Sequence, residues 1–170
     1  MLFRSRGEPA SATALFGAIT ALAGLLSTLI GGVVADRLQV RYPGSYFLVS
    51  AIGMLIAAPL FVGMLFVPFP AAWFLLFGAV FFGFLNTGPS NTALANVAAP
   101  AIRATAFALN ILVIHALGDA LAFPAIGYIS GHSNMNIGFL VISGMMLLSG
   151  LVWLTGMKFL GADTARIEAL

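Results

Sequence analysis

Residues 12–35 read ATALFGAITALAGLLSTLIGGVVA, and no charged side chain follows until Asp36. An α-helix of about 20 apolar residues crosses the hydrocarbon core of a bilayer. The apolar region of a secretory signal is shorter, roughly 7–15 residues, and no clear cleavage site accompanies this run. It reads as a membrane span. Ala14, Gly17, Ala21, Gly24, Thr28, Gly31 and Ala35 recur at alternating spacings of three and four, which puts small residues along one helix face. In lipid, small residues let helix backbones approach closely. The spacing predicts a helix packed into a bundle.

Four further apolar runs follow, at 46–67, 71–98, 103–130 and 137–160, the fourth segment of the chain being interrupted by Asp119. Short loops separate them: DRLQVRYPGS, PFP, APAIR and GHSNMN. With no water in the hydrocarbon to bond backbone groups, each run must coil. A barrel would need strands of about ten residues with alternating polarity, and no such pattern is present. The composition agrees. Of 170 residues, 61% are hydrophobic and 7% charged, and the mean hydropathy is +1.09. A soluble domain carries roughly 25% charged residues. The expected fold is an all-α membrane protein: a bundle of five transmembrane helices over 12–160 with the lipid bilayer as solvent.

Several function classes fall away. The net charge of +2 comes from scattered single residues, so there is no basic stripe for nucleic acid. The absence of Cys excludes disulfides, thiolate metal sites and a Cys nucleophile. There is no phosphate loop with Lys, no His pair at metal spacing and no G-x-S-x-G. Hence no catalytic residue, cofactor or metal site is assigned, and the chain is not expected to be an enzyme. His132 sits alone in a loop and receives no role.

Loop charge sets orientation. Arg37 and Arg41, then Arg103, then Lys158 and Arg166 fall on one side, against Arg4 and Arg6 on the other. The 35–45 loop and the 161–170 tail are therefore expected in the cytoplasm and the 1–11 flank outside. That placement is uncomfortable for Arg4 and Arg6, and an additional upstream helix would relieve it. The expectation is a piece of a longer multi-pass protein of the plasma (inner) membrane.

Three groups of residues stand out. Gly32, Asp36, Arg37 and Arg41 form G-x-x-x-D-R-x-x-x-R in the first loop. Asp36 can pair with an Arg of its own loop or cap a helix, and Arg37 can satisfy terminal carbonyls. Such a cluster is either a gate that latches two helices or a plain topology anchor. In the third run, Asn86, Thr87, Ser90 and Asn91 surround Gly88-Pro89. Pro removes a backbone donor, so free carbonyls are expected near Leu85 and Asn86. The reading is a substrate-facing or gating bend, or polar glue between helices. In the fourth run, His115 and Asp119 lie one turn apart, near mid-span. A carboxylate at that depth costs roughly 2.5–3.5 kcal/mol on insertion scales, so it should be paired or wet. The pair is a candidate for proton coupling, or a structural hydrogen bond. Gly118, Pro124, Gly127 and Gly131 suggest a closely packed, bendable outer half. The fifth run has almost no polar chemistry and reads as peripheral support.

The first loop motif resembles that of the major facilitator superfamily. Asn86-Thr87-Gly88-Pro89, the loop Pro100-x-x-Arg103-x-x-Ala106, and His115-x-x-Gly118-Asp119 followed by Pro124 and Gly127 are similar to helices ten and eleven of its spinster-like members. Residues 15–38 look like helix eight of that group. The resemblance implies that the chain is an incomplete C-terminal half of the major facilitator fold, helices eight to twelve. It implies secondary transport of a small-molecule or lipid-like substrate by alternating access, with the missing N-terminal half as partner. The competing expectation is a small, non-transporting membrane scaffold or partner subunit.

Overall fold

The computed structural model describes residues 11–169. Arg4 and Arg6, with most of the expected outer flank, lie outside them, as does Leu170. Five helices are long and apolar enough to span a membrane. The first is α1, Ser11–Gln39. The second is α2, Ser45–Gly63. The third is divided into α3, Ala71–Phe84, and α4, Thr87–Val97. The fourth follows a short 3-10 turn and consists of α5, Arg103–Val113, a π-helical segment Ile114–Asp119, and α6, Ala120–His132. The fifth is α7, Met135–Glu168. No strand occurs among the described residues. Helix α7 starts at a true cap: the Asn134 side-chain oxygen accepts from the Ile137 N–H at 3.0 Å, which satisfies one of the orphan donors of the first turn.

Helix α2 is the hub, flanked by α1, α3, α4 and α7. Its contact with α7 is made by glycines. A Cβ on Gly150 would lie 2.8 Å from Leu55 and one on Gly156 would lie 2.9 Å from Phe47, while one on Gly161 would lie 2.8 Å from Pro43 in the loop just before the hub. Gly44 abuts Met157 in the same way. Phe47 meets Trp153 edge-on at 4.8 Å, and Phe61 meets Phe139 at 5.3 Å. The expectation that the fifth span is peripheral is therefore corrected. Its glycines carry no polar chemistry, but they admit the side chains of the hub.

Helix α1 packs on the hub and the third span through Ala23, Ser27, Gly31 and Ala35, all buried. Only the second half of the small-residue stripe is used. Ala14, Gly17 and Ala21 are exposed, and a methyl group added at Gly17 would meet no atom within 4 Å.

The fourth span stands off from the others. No residue of Pro100–His132 is buried. Its α6 half rests on α7, where Ile126 meets Gly138. The closely packed outer half expected from Gly118, Gly127 and Gly131 is not found: each has open space where a side chain would be. The large apolar side chains of this span, such as Leu112, Leu117 and Phe123, are left exposed as well.

Candidate functional site

The third span breaks at Leu85–Asn86, where helical bonding lapses between α3 and α4. Pro89 has no N–H to give to the carbonyl four residues earlier, that of Leu85. This carbonyl points at Gly31 of α1, so closely that a methyl there would collide with it. From the other side, a Cβ on Gly53 of α2 would come 2.6 Å from the Phe82 carbonyl. A Cβ on Gly88 would come 2.7 Å from the Thr28 carbonyl. Three glycines thus let three backbones meet at one break. Pro89 is buried there. Asn86, Thr87 and Ser90 are half-buried and Asn91 is exposed. Ser90 donates within its own helix to the Thr87 carbonyl at 3.3 Å.

The π-helical segment Ile114–Asp119 carries the second group. Ala120 N–H donates to the His115 carbonyl, five residues back. Such turns concentrate at functional positions in helices. His115 Nδ1 lies 2.6 Å from Asp119 Oδ2, with the two side chains 66% and 50% exposed. No other such close contact between side chains that can carry opposite charge occurs among the described residues. Leu117 and Gly118 of the same turn line the edge of an apolar cleft of about 550 Å³. The cleft lies between the fourth and fifth spans, walled by Leu121, Ile129 and Met145, with Met54 of the hub at one side. A hydrogen-bonded polar pair therefore adjoins an apolar hollow.

The first loop behaves otherwise than its charges suggest. Asp36 does not pair with Arg37 or Arg41. Its Oδ1 accepts from the Tyr46 hydroxyl at 3.0 Å, tying the end of α1 to the start of α2. Tyr46 is buried, with Asn96 of α4 beside its hydroxyl. The neighbouring Ser45 hydroxyl is 2.8 Å from the Ala35 carbonyl and 2.7 Å from the Gln39 side-chain oxygen. Arg37 and Arg41 are exposed. Sequence reasoning missed Tyr46, Ser45, Gln39 and Asn96. The available signal was a Tyr at a membrane-water boundary, where aromatic anchors collect. Among the described residues, no hydrogen bond or ion pair joins the third-span break to the His115–Asp119 turn. The loop network reaches the third span only at Asn96, near its end.

No protein-family model matches the chain. Among curated proteins it is 38% identical over 120 residues to protein spinster of Drosophila melanogaster, covering 68% of this chain and 20% of that protein. It is 35% identical over 120 residues to a sphingosine-1-phosphate transporter of Xenopus tropicalis, covering 68% and 23%. It is 27% identical over 124 residues to a probable sphingolipid transporter, spinster homolog 3, of Arabidopsis thaliana, covering 73% and 24%. The matched part spans about a fifth to a quarter of the length of these relatives.

Proposed function

Because this chain is a homologue of the spinster proteins, transporters of the major facilitator superfamily, we propose that it forms part of a secondary transporter moving an amphipathic, lipid-like solute by alternating access. Membrane transport is the activity its relatives are named for. The sphingolipids in those names indicate the substrate class. The further helices needed would complete the other half of the transporter, in the plasma membrane, with the 35–45 loop on its cytoplasmic side. Rocking of two halves around a central site requires both of them.

The observation that carries this reading is the His115–Asp119 turn at the edge of the apolar cleft. A hydrogen-bonded His and Asp facing hydrocarbon would be costly. The same pair facing a wet passage is far less costly. An apolar hollow next to it suits a solute with one apolar end. Asn86, Thr87, Ser90 and Asn91 flank the break that Pro89 imposes, and this is the gating bend. Gly32, Asp36 and Arg37 at the end of α1, with Arg41 in the turn that follows, form the cytoplasmic gate, with Asp36 held by Tyr46.

The test is transport by the complete protein in proteoliposomes under an imposed pH gradient. Asp119→Asn should abolish the dependence on the gradient while leaving protein amount unchanged. An unaltered rate and pH profile would end the coupling role of the pair.

A further inference from the structure

All five Lys and Arg among the described residues gather at one end of the bundle: Arg37, Arg41, Arg103, Lys158 and Arg166. At that end a second cavity of about 420 Å³ opens between the fourth span and the ends of α1, α4 and α7. Its wall differs in chemistry from the apolar cleft. Gln39, Asn96, Arg103, Thr164 and Glu168 all contribute to it.

The polar groups here are under-used. The Arg103 guanidinium offers five N–H donors and makes one long bond, 3.4 Å from Nη2 to the Ala98 carbonyl. The Thr164 hydroxyl is buried with no hydrogen-bond partner. A buried hydroxyl left so is uncommon and points to an absent partner. Glu168 faces the same cavity as Arg103, yet the two form no ion pair. A cation and an anion thus share one hollow without bonding to each other.

We propose that this cavity seats the zwitterionic headgroup of a phospholipid from the adjacent leaflet. The phosphate sits on Arg103 and the Thr164 hydroxyl, and the headgroup ammonium sits on Glu168. Arg suits phosphate because its planar fork donates two parallel bonds. The carboxylate selects among such lipids: it attracts a headgroup amine and repels a purely anionic headgroup. The apolar flanks of α5 and α7 beside the cavity are exposed and can carry the acyl chains. Such a seat does not depend on transport.

The experiment is native mass spectrometry of the chain released from detergent after addition of phosphatidylethanolamine, phosphatidylglycerol or diacylglycerol. Phosphatidylethanolamine should be retained best and diacylglycerol least. Arg103→Gln should weaken retention of both phospholipids roughly tenfold or more, the scale of a charge-assisted hydrogen bond. Arg103→Lys should restore part of it. Glu168→Gln, a change at an exposed helix end, should leave the unfolding midpoint unchanged and remove the preference for phosphatidylethanolamine over phosphatidylglycerol. Equal retention of all three lipids, or no effect of either Gln variant, overturns the proposal. Displacement of the lipid by an equimolar amount of soluble phosphoethanolamine overturns the lipid as the source of the group.

Discussion

A methyl group added at Gly31 has nowhere to go, because the Leu85 carbonyl already occupies its place. Backbone cannot yield as a side-chain tip can, and overpacking of this kind typically costs about 1–3 kcal/mol. Gly31→Ala should therefore lower the thermal unfolding midpoint in detergent. Gly17→Ala, on the same helix with open space around it, should leave the midpoint unchanged or raise it, since Ala is the better helix former. Equal effects at the two sites would refute the close approach at the break. Tyr46→Phe should cost on the order of 1 kcal/mol through the lost bond to Asp36, while Tyr42→Phe, exposed in the first loop, should be neutral in the same assay. The stripe that contains Gly31 was visible in the sequence, and the half of it that packs was not. Spacing shows which residues share a face, and only the position of the neighbouring helix decides how far along that face contact runs. In the same way the charges of the first loop were plain, but Asp36 took a hydroxyl partner from a helix that spacing alone could not bring alongside.

At the scale of the helix, two irregularities divide long spans. The break in the third span was legible because Gly88-Pro89 has one local consequence wherever it stands: the Leu85 carbonyl loses its donor. The π-helical turn of the fourth span was not legible. It needs no special residue, only one extra residue accommodated in a turn. That origin makes it testable by deletion. Removing Ala116 should let Ile114–Asp119 relax to ordinary helix while α5 and α6 keep their own geometry. Removing Ala108 from regular helix should turn everything beyond it by about 100°. Deletion of Ala116 is expected to lower the unfolding midpoint less than deletion of Ala108, and to abolish transport by the complete protein. The opposite order of stabilities would show that the π turn is not a tolerated insertion. The cap at Asn134 belongs to this scale as well. Asn134→Ala should cost about 1 kcal/mol, read as earlier amide exchange in the first turn of α7.

For the whole molecule, the number and class of the spans followed from the apolar runs, since nothing else satisfies a backbone in hydrocarbon. The standing-off of the fourth span did not. Gly118, Gly127 and Gly131 look the same in a sequence whether they admit a neighbour or merely leave space. A span without a buried residue adds little to cooperativity, and local opening follows where few apolar contacts hold. In detergent, a protease should cut first at 98–102, ahead of the loops at 40–44 and 64–70. A first cut elsewhere would show that the fourth span is held more firmly than its surface implies. The large apolar side chains exposed on every span further require that the chain aggregate in plain buffer. A detergent-free monomer would remove the basis for any membrane role.

One dimension of the fifth helix reaches beyond the bundle. Its apolar stretch, 137–160, rises about 36 Å at 1.5 Å per residue, whereas a typical hydrocarbon slab is about 30 Å deep. Standing upright it would push oily turns into the headgroups; leaning over, it fits. Since the hub is locked to it through Gly150 and Gly156, the hub must lean along with it. A sterol-rich leaflet pair, a few ångströms deeper, would straighten both rods together, so the inclination of this protein becomes a gauge of the depth of the sheet that holds it.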